Sequence, residues 1–277
     1  MPSQPYDAAS MIQVAFVGAG KMASAMVRGV LARRLYQPAQ IGCTCGADPT
    51  GPALAAQTGI TYEPDPAKLL GAADIVVLAC KPQQLASLDA AYISATEGKL
   101  LLSILAGTPL AKLAAKFPRA RNLVRAMPNT PGQIGAGITA YSARTTLAPS
   151  DQQTVESILG SLGPVLALPE ADIDAVTAVS GSGPAYLFEF VAAFRAAATA
   201  TGLPPATAET LVLETVRGAV KLLETTGEDP EKLRNAVTSP GGTTEAALNV
   251  FRAANFRQVF QDAVAAAQRR SEELAKL

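Results

Sequence analysis

Two kinds of segment alternate along the first part of the chain: short apolar runs rich in β-branched residues, and longer stretches whose apolar positions recur at helical spacing. Ile12–Val17, Gln40–Thr44, Asp74–Ala79 and Leu100–Leu105 read as buried strands, and Lys21–Leu35 reads as the first helix. Further apolar segments at Leu123–Met127 and Gly137–Tyr141 extend the pattern. Asp151–Leu162 is helical and Val165–Leu168 is a last strand. Such alternation predicts a parallel sheet covered by helices on both faces. After Pro169 the strand signal fades. Ile173–Val179, Ala185–Thr201, Thr207–Thr225, Pro230–Val237 and Thr244 to the C-terminus all carry helical spacing.

The pattern divides the chain into a polar tail (1–10), an α/β domain (11–168) and an all-α domain (169–277), with Pro164 and Pro169 marking the change. The helical part is rich in Ala and Val and poor in aromatics, so each side chain buries little area and a core is hard to close alone. We expect it to pair with a second copy through a two-fold interface. Folding back onto the sheet is the alternative.

Composition narrows the function. Among 277 residues, 23 basic side chains balance 23 acidic ones and no basic run stands out, which argues against nucleic acid or an anionic membrane as partner. No apolar run approaches the roughly 20 residues needed to span a bilayer, and the tail lacks the features of a secretory signal. Three Cys form no disulfide framework, so a reducing cytoplasm fits. There is no His, which removes the usual metal ligand and the usual general base.

The densest candidate chemistry follows the first strand. Val17-Gly18-Ala19-Gly20-Lys21-Met22-Ala23 matches G-x-G-x-x-A between a strand and a helix. One glycine there permits the tight turn, the next admits a pyrophosphate, and the helix start offers free N–H groups to its charge. No acid follows the second strand until Asp48, which favours NADPH over NADH, with Thr44 and the backbone near Cys45 as contacts. Cys43 and Cys45 alone cannot fill a tetrahedral metal site, and no metal is expected. Ala79-Cys80-Lys81-Pro82 and the segment ending Ala106-Gly107 stand at strand ends, where ligands of open parallel sheets lie, so Ala79, Lys81, Pro82, Ala106 and Gly107 should border the cofactor.

Three further motifs are ambiguous by themselves. In Arg125-Ala-Met-Pro-Asn-Thr-Pro131, Asn129 either touches the nicotinamide amide or stabilises its turn. Ser180-Gly-Ser-Gly-Pro-Ala-Tyr186 looks like a helix start capped at Ser182 or Gly183, and without a His base Ser182 is no nucleophile. Thr238-Ser-Pro-Gly-Gly-Thr-Thr-Glu245 opens a helix whose first turn could hold a small carboxylate or simply be capped.

Taken in order, these motifs resemble the pyrroline-5-carboxylate reductase family from Val14 to about Leu274, with Val-Thr-Ser-Pro-Gly-Gly-Thr-Thr the most telling. The resemblance implies a Rossmann-like domain followed by a helical dimerisation domain, often assembled further into a pentamer of dimers. It implies an oxidoreductase acting on a CH–NH bond: hydride transfer from NADPH, sometimes NADH, to C5 of 1-pyrroline-5-carboxylate, giving L-proline. Carried onto this chain, Thr244 would hydrogen-bond the ring nitrogen, while Ser239, Gly241, Gly242, Thr243 and Thr244 would surround the carboxylate. Lys21 and Pro66 depart from residues common in the family and touch only the adenosine side. A reductase of the β-hydroxyacid dehydrogenase type and a non-catalytic NADP sensor are the competing readings; Lys221 is the only lysine in the helices where the former would keep its catalytic one.

Overall fold

A computed structural model describes residues 12–276. The tail expected at 1–10 lies outside the described residues. Among the described residues eight strands form one sheet: β1 (Val14–Val17), β2 (Ile41–Thr44), β3 (Thr61–Tyr62), β4 (Ile75–Leu78), β5 (Leu100–Ser103), β6 (Asn122–Met127), β7 (Thr139–Ala143) and β8 (Val165–Ala167). Their order is β3-β2-β1-β4-β5-β6-β7-β8. The first six run parallel in the 3-2-1-4-5-6 order of a dinucleotide-binding sheet.

The central strands are buried on both faces, which explains their unbroken apolar runs. Phe16 packs with Met26, Val27 and Leu159 on one face, while Val17, next along β1, joins Leu101, Leu113 and Phe117 on the other. Val17 pairs in register with Thr44 and Leu78, so the three chain ends that follow β1, β2 and β4 emerge side by side.

Four local readings change. β3 was not expected: it is two residues long and barely buried, too short to leave a periodic signal. β7 runs antiparallel to β6, and β8 follows its direction. The connection from Met127 to Thr139 is a 3₁₀ turn and loop, too short for the helical crossover that a parallel neighbour needs. The segment from Ser180 does open a helix at Gly183 with Pro184 in its first turn, but the chain arrives there from a widened helical turn and not from a loop. Helix Ile173–Val176 widens into a π-type turn over Thr177–Gly181, Ser182 N–H donates to Thr177 O at 2.8 Å, and Gly183–Ala200 follows. Pro184 lacks an N–H and crowds the carbonyl four residues back, a conflict a widened turn absorbs. Finally, the long helix expected from Thr244 ends at Ala253 and restarts at Phe256, with Asn255 in the left-handed region (φ 51°).

By its contacts the chain divides into two compact units: the residues up to Ser182 with those from Ala267 onward, and Gly183–Ala266. Turn Glu170–Asp172 and helix Ile173–Val176 stay with the sheet because Arg125 on β6 pairs with Glu170 and Asp174. The second unit is entirely helical. Within it helix Gly183–Ala200 buries no side chain, and Phe188 is 61% exposed.

At the opposite end of β4 and β6 from the loops that follow them, Arg121 forks onto Asp74 (2.9 and 3.1 Å) and Asp151 (2.9 and 3.1 Å), and donates to Gly98 O. The Arg121 hydrogen bonds hold the Asp74 carboxyl below its usual range against partial desolvation. A carboxylate whose pKa is depressed by folding contributes stability above its unfolded pKa, about 3.9, and loses it as pH falls through the folded value. Asp74 is largely exposed, so screening limits the gain. Arg121→Met should cost about 1–2 kcal/mol in urea melts at neutral pH, with the gap to the parent narrowing near pH ~3. A gap of equal size at both pH values would show that charge pairing is not its source.

Candidate functional site

The loop after β1 is built around a close approach. Gly18 has φ 106°, and a Cβ placed on it would lie 2.5 Å from Ala79 O and 2.7 Å from Cys80 N. Its N–H donates to Thr44 O at 2.8 Å, while Ala79 N–H donates to Val17 O at 2.8 Å. The loop is thereby pinned between the ends of β2 and β4. Ala19 is buried, Gly20 and Lys21 are exposed, and Met22 is half-buried against the sheet.

Helix Lys21–Ala32 begins at Gly20 with no side-chain cap and no acid in its first turn. Nothing lies within 4 Å of where a Gly20 Cβ would be. The first N–H groups of a twelve-residue helix therefore open onto free space beside a lysine. A carboxylate or hydroxyl side chain would satisfy them in an ordinary start. This donor set fits a pyrophosphate.

Around this loop the other expected residues take definite places. Thr44 is 1% exposed and its hydroxyl is enclosed with no hydrogen-bond partner among the described residues. The Thr44 side chain thus points inward. Cys45 is half-buried and its thiol donates to Asp48 O at 3.4 Å. Burial, above all, pushes the Cys43 thiol up to about 11, so it stays protonated and is a poor metal ligand. Among the described residues no group of three His, Cys, Asp or Glu side chains could hold a metal ion.

Asp48, the first acid past β2, is turned back onto its own loop: Thr50 donates to it through both N–H (2.9 Å) and hydroxyl. Those bonds, the hydroxyl's first, hold its carboxyl below the usual range, with Lys81 adding a smaller Coulombic pull. Lys81 is exposed and Pro82 opens a 3₁₀ turn, Pro82–Leu85, with Lys81 N–H donating to Gln84 Oε1 at 2.9 Å. Ala106 is exposed and Gly107 buried in the loop after β5. Asn129 is half-buried, and its Oδ1 accepts from Ile138 N–H at 3.0 Å. That oxygen closes the β6–β7 loop, as its turn-stabilising reading requires; the amide nitrogen is a separate donor.

In the helical unit, helix Thr243–Ala253 also starts at a glycine, Gly242, without a side-chain cap. A Cβ on Gly242 would lie 2.6 Å from Ser239 Oγ, so the serine hydroxyl sits directly under the helix start. Thr243 is exposed, Thr244 half-buried, and Gly241 N–H donates to Glu245 Oε2 at 2.7 Å. Ser239, Thr243 and Thr244 thus surround a positive helix end bearing free N–H donors. The Glu245 contact escaped sequence reasoning, although Glu at the third helical position is a known capping signal.

Residues 170–274 match the family described as pyrroline-5-carboxylate reductase dimerisation, and residues 13–107 match that described as NADP oxidoreductase, coenzyme F420-dependent. The pyrroline-5-carboxylate reductase of Synechocystis sp. is 37% identical over 268 residues, covering 96% of this chain and 99% of that one. The chain belongs to the pyrroline-5-carboxylate reductase family. A solved pyrroline-5-carboxylate reductase from Coxiella burnetii superposes with TM-score 0.86 at 34% identity, covering 96% of this chain and 100% of that one. The Plasmodium falciparum pyrroline carboxylate reductase, solved with NADP bound, gives TM-score 0.86 at 28% identity over 96% of this chain and 99% of that one. As a pyrroline-5-carboxylate reductase the chain is an NAD(P)H oxidoreductase acting on an imine bond, with a Rossmann-like sheet and a helical dimerisation domain. The competing sensor and β-hydroxyacid readings are not favoured.

Proposed function

We propose that the chain reduces 1-pyrroline-5-carboxylate to L-proline with NADPH, holding the coenzyme at the glycine loop and the substrate at the start of helix Thr243–Ala253. The uncapped helix start at Gly20, beneath a glycine that backs onto Ala79, carries the coenzyme half of this reading. NADPH rather than NADH is supported by Asp48, whose carboxylate is spent on Thr50 and is not offered to a ribose, and by the NADP-bound relative.

When bound, NADPH supplies the hydride for C5 of the substrate ring. N–H groups of Lys21 and Met22 would hold the pyrophosphate, and Ala79, Lys81, Pro82, Ala106, Gly107 and Asn129 would border the remainder. N–H groups of Thr243 and Thr244, with the Ser239 hydroxyl, hold the substrate carboxylate. The Thr244 hydroxyl meets the ring nitrogen and fixes which atom presents to the coenzyme. A cyclic imine that binds protonated already carries the charge that draws hydride, so a chain without histidine needs no strong acid of its own. Its task is positioning.

The test is one absorbance assay with pyrroline-5-carboxylate and each reduced coenzyme in turn. Loss of near-ultraviolet absorbance, faster with NADPH, is expected; binding of NADPH without its oxidation would turn the reading to a sensor.

The working form on this reading is a cytoplasmic homodimer, with a pentamer of dimers as its further assembly. The exposed apolar side chains of the helical unit support pairing: Phe188, Leu211, Val220 and Val250 are all at the surface of a single chain. Phe188→Asp should shift light scattering toward the single-chain mass, and an unchanged mass would exclude this face from the interface.

A further inference from the structure

The loop that follows β5 is held from two sides by a closed circuit of contacts within the sheet unit. Gly107, at φ 64°, is buried so that a Cβ on it would lie 3.0 Å from Leu274 Cβ. Three residues on, Leu110 N–H opens helix Leu110–Lys116 and donates to Glu170 Oε1 at 2.6 Å. That oxygen is 3.5 Å from Nη1 of Arg125, and Arg125 Nη2 donates to Asp174 Oδ1 at 2.9 Å. Asp174 Oδ1 also accepts from the Ser271 hydroxyl at 2.8 Å. Ser271 and Leu274 stand one turn apart on helix Phe256–Lys276, which closes the ring.

Arg125 is the hub. It is 3% exposed, and a buried guanidinium is tolerated only where carboxylates and geometry are both in place. Its fork grips two acids at once, which a lysine could not do with the same geometry. Ser271 is 4% exposed while its neighbours in sequence lie open, so it is on the face of its helix that turns inward.

We propose that Arg125 is a positioning residue for the coenzyme: through Glu170 on one side, and through Asp174, Ser271 and Leu274 on the other, it fixes the loop from Ile104 to Pro109. The inference rests on the reading of Ala106 and Gly107 as coenzyme contacts. It gives the last turns of helix Phe256–Lys276 a part in nucleotide binding, as the outer arm of the ring.

Arg125→Ala strands two carboxylates and weakens the fold as well, so the deciding variant is Ser271→Ala, which removes the hydroxyl that joins helix Phe256–Lys276 to Asp174 and leaves the buried ion pair whole. NADPH KM should rise about 3- to 10-fold, the worth of one lost contact, with kcat within about two-fold of the parent and the melting temperature little changed. Ser271→Thr should restore KM. Amide exchange over residues 104–109 is measured on the same proteins and should quicken in Ser271→Ala. Faster exchange with KM unchanged would overturn the coenzyme assignment of Ala106 and Gly107, and Arg125's coenzyme role with it. Exchange and KM both unchanged would overturn the ring as a positioning device while leaving the coenzyme site standing. A fall in melting temperature and kcat without a KM effect would reduce the ring to a structural support.

Discussion

Gly18→Ala should damage the loop after β1 and the coenzyme binding proposed for it more than any other change in the glycine loop. The new Cβ would need to share space with Ala79 O at 2.5 Å and Cys80 N at 2.7 Å, both backbone atoms with no rotamer to yield. The residue would also keep φ 106°, a region that side chains rarely adopt. Strain and overpacking together cost about 2–6 kcal/mol, a large part of a typical domain's stability. Either the chain unfolds at lower temperature, by more than about 5 °C, or the loop moves off β4 and NADPH KM climbs by at least about 30-fold. Gly20→Ala makes the control. Its Cβ meets nothing within 4 Å and its φ is −69°, so this variant should melt like the parent. It should nevertheless bind NADPH more weakly, because the methyl enters the space left for the pyrophosphate. Parent-like melting and KM in Gly18→Ala would remove the close approach from the account.

Thr244→Ala separates chemistry from stability in the other unit. Thr244 is the second residue of its helix and only half-buried, and alanine is the better helix former, so folding should not suffer. What disappears is one orienting hydroxyl. The expected loss in kcat/KM is about 10- to 100-fold, equal to about 1.4–2.7 kcal/mol of transition-state stabilisation. Thr244→Ser, which keeps the oxygen, should recover most of it. Full activity in Thr244→Ala would take the ring-nitrogen contact away from this residue.

How much of this was legible in the chain depended on range. β1, β4 and β5 announce themselves because a strand buried on both faces must be apolar at every position. β3 is silent because two half-exposed residues carry no period. The reversal at β7 is invisible to periodicity, which is the same in either direction; only the shortness of the β6–β7 connection betrays it. The Ser-Gly-Ser-Gly-Pro segment marks the helix that opens at Gly183 but hides the widened turn ahead of it, because residues that cap helices also occupy such turns. At the candidate site, local signals carried far: the glycine loop and the Pro-Gly-Gly-Thr-Thr helix start stand where spacing put them. Thr44 is legible by position but not by burial, which depends on how distant segments cover the end of β2. The Arg125 ring could not be read at all, since its links join residues 49 and 97 positions apart.

Helix Gly183–Ala200, with no residue fully buried inside its own subunit, has one more implication. The free energy that keeps such a surface dry belongs to association and not to the isolated polypeptide. The abundance of the chain then enters its own stability as a mass-action variable: dilution alone is a mild denaturant, and a substitution on these helices acts first on an equilibrium between molecules.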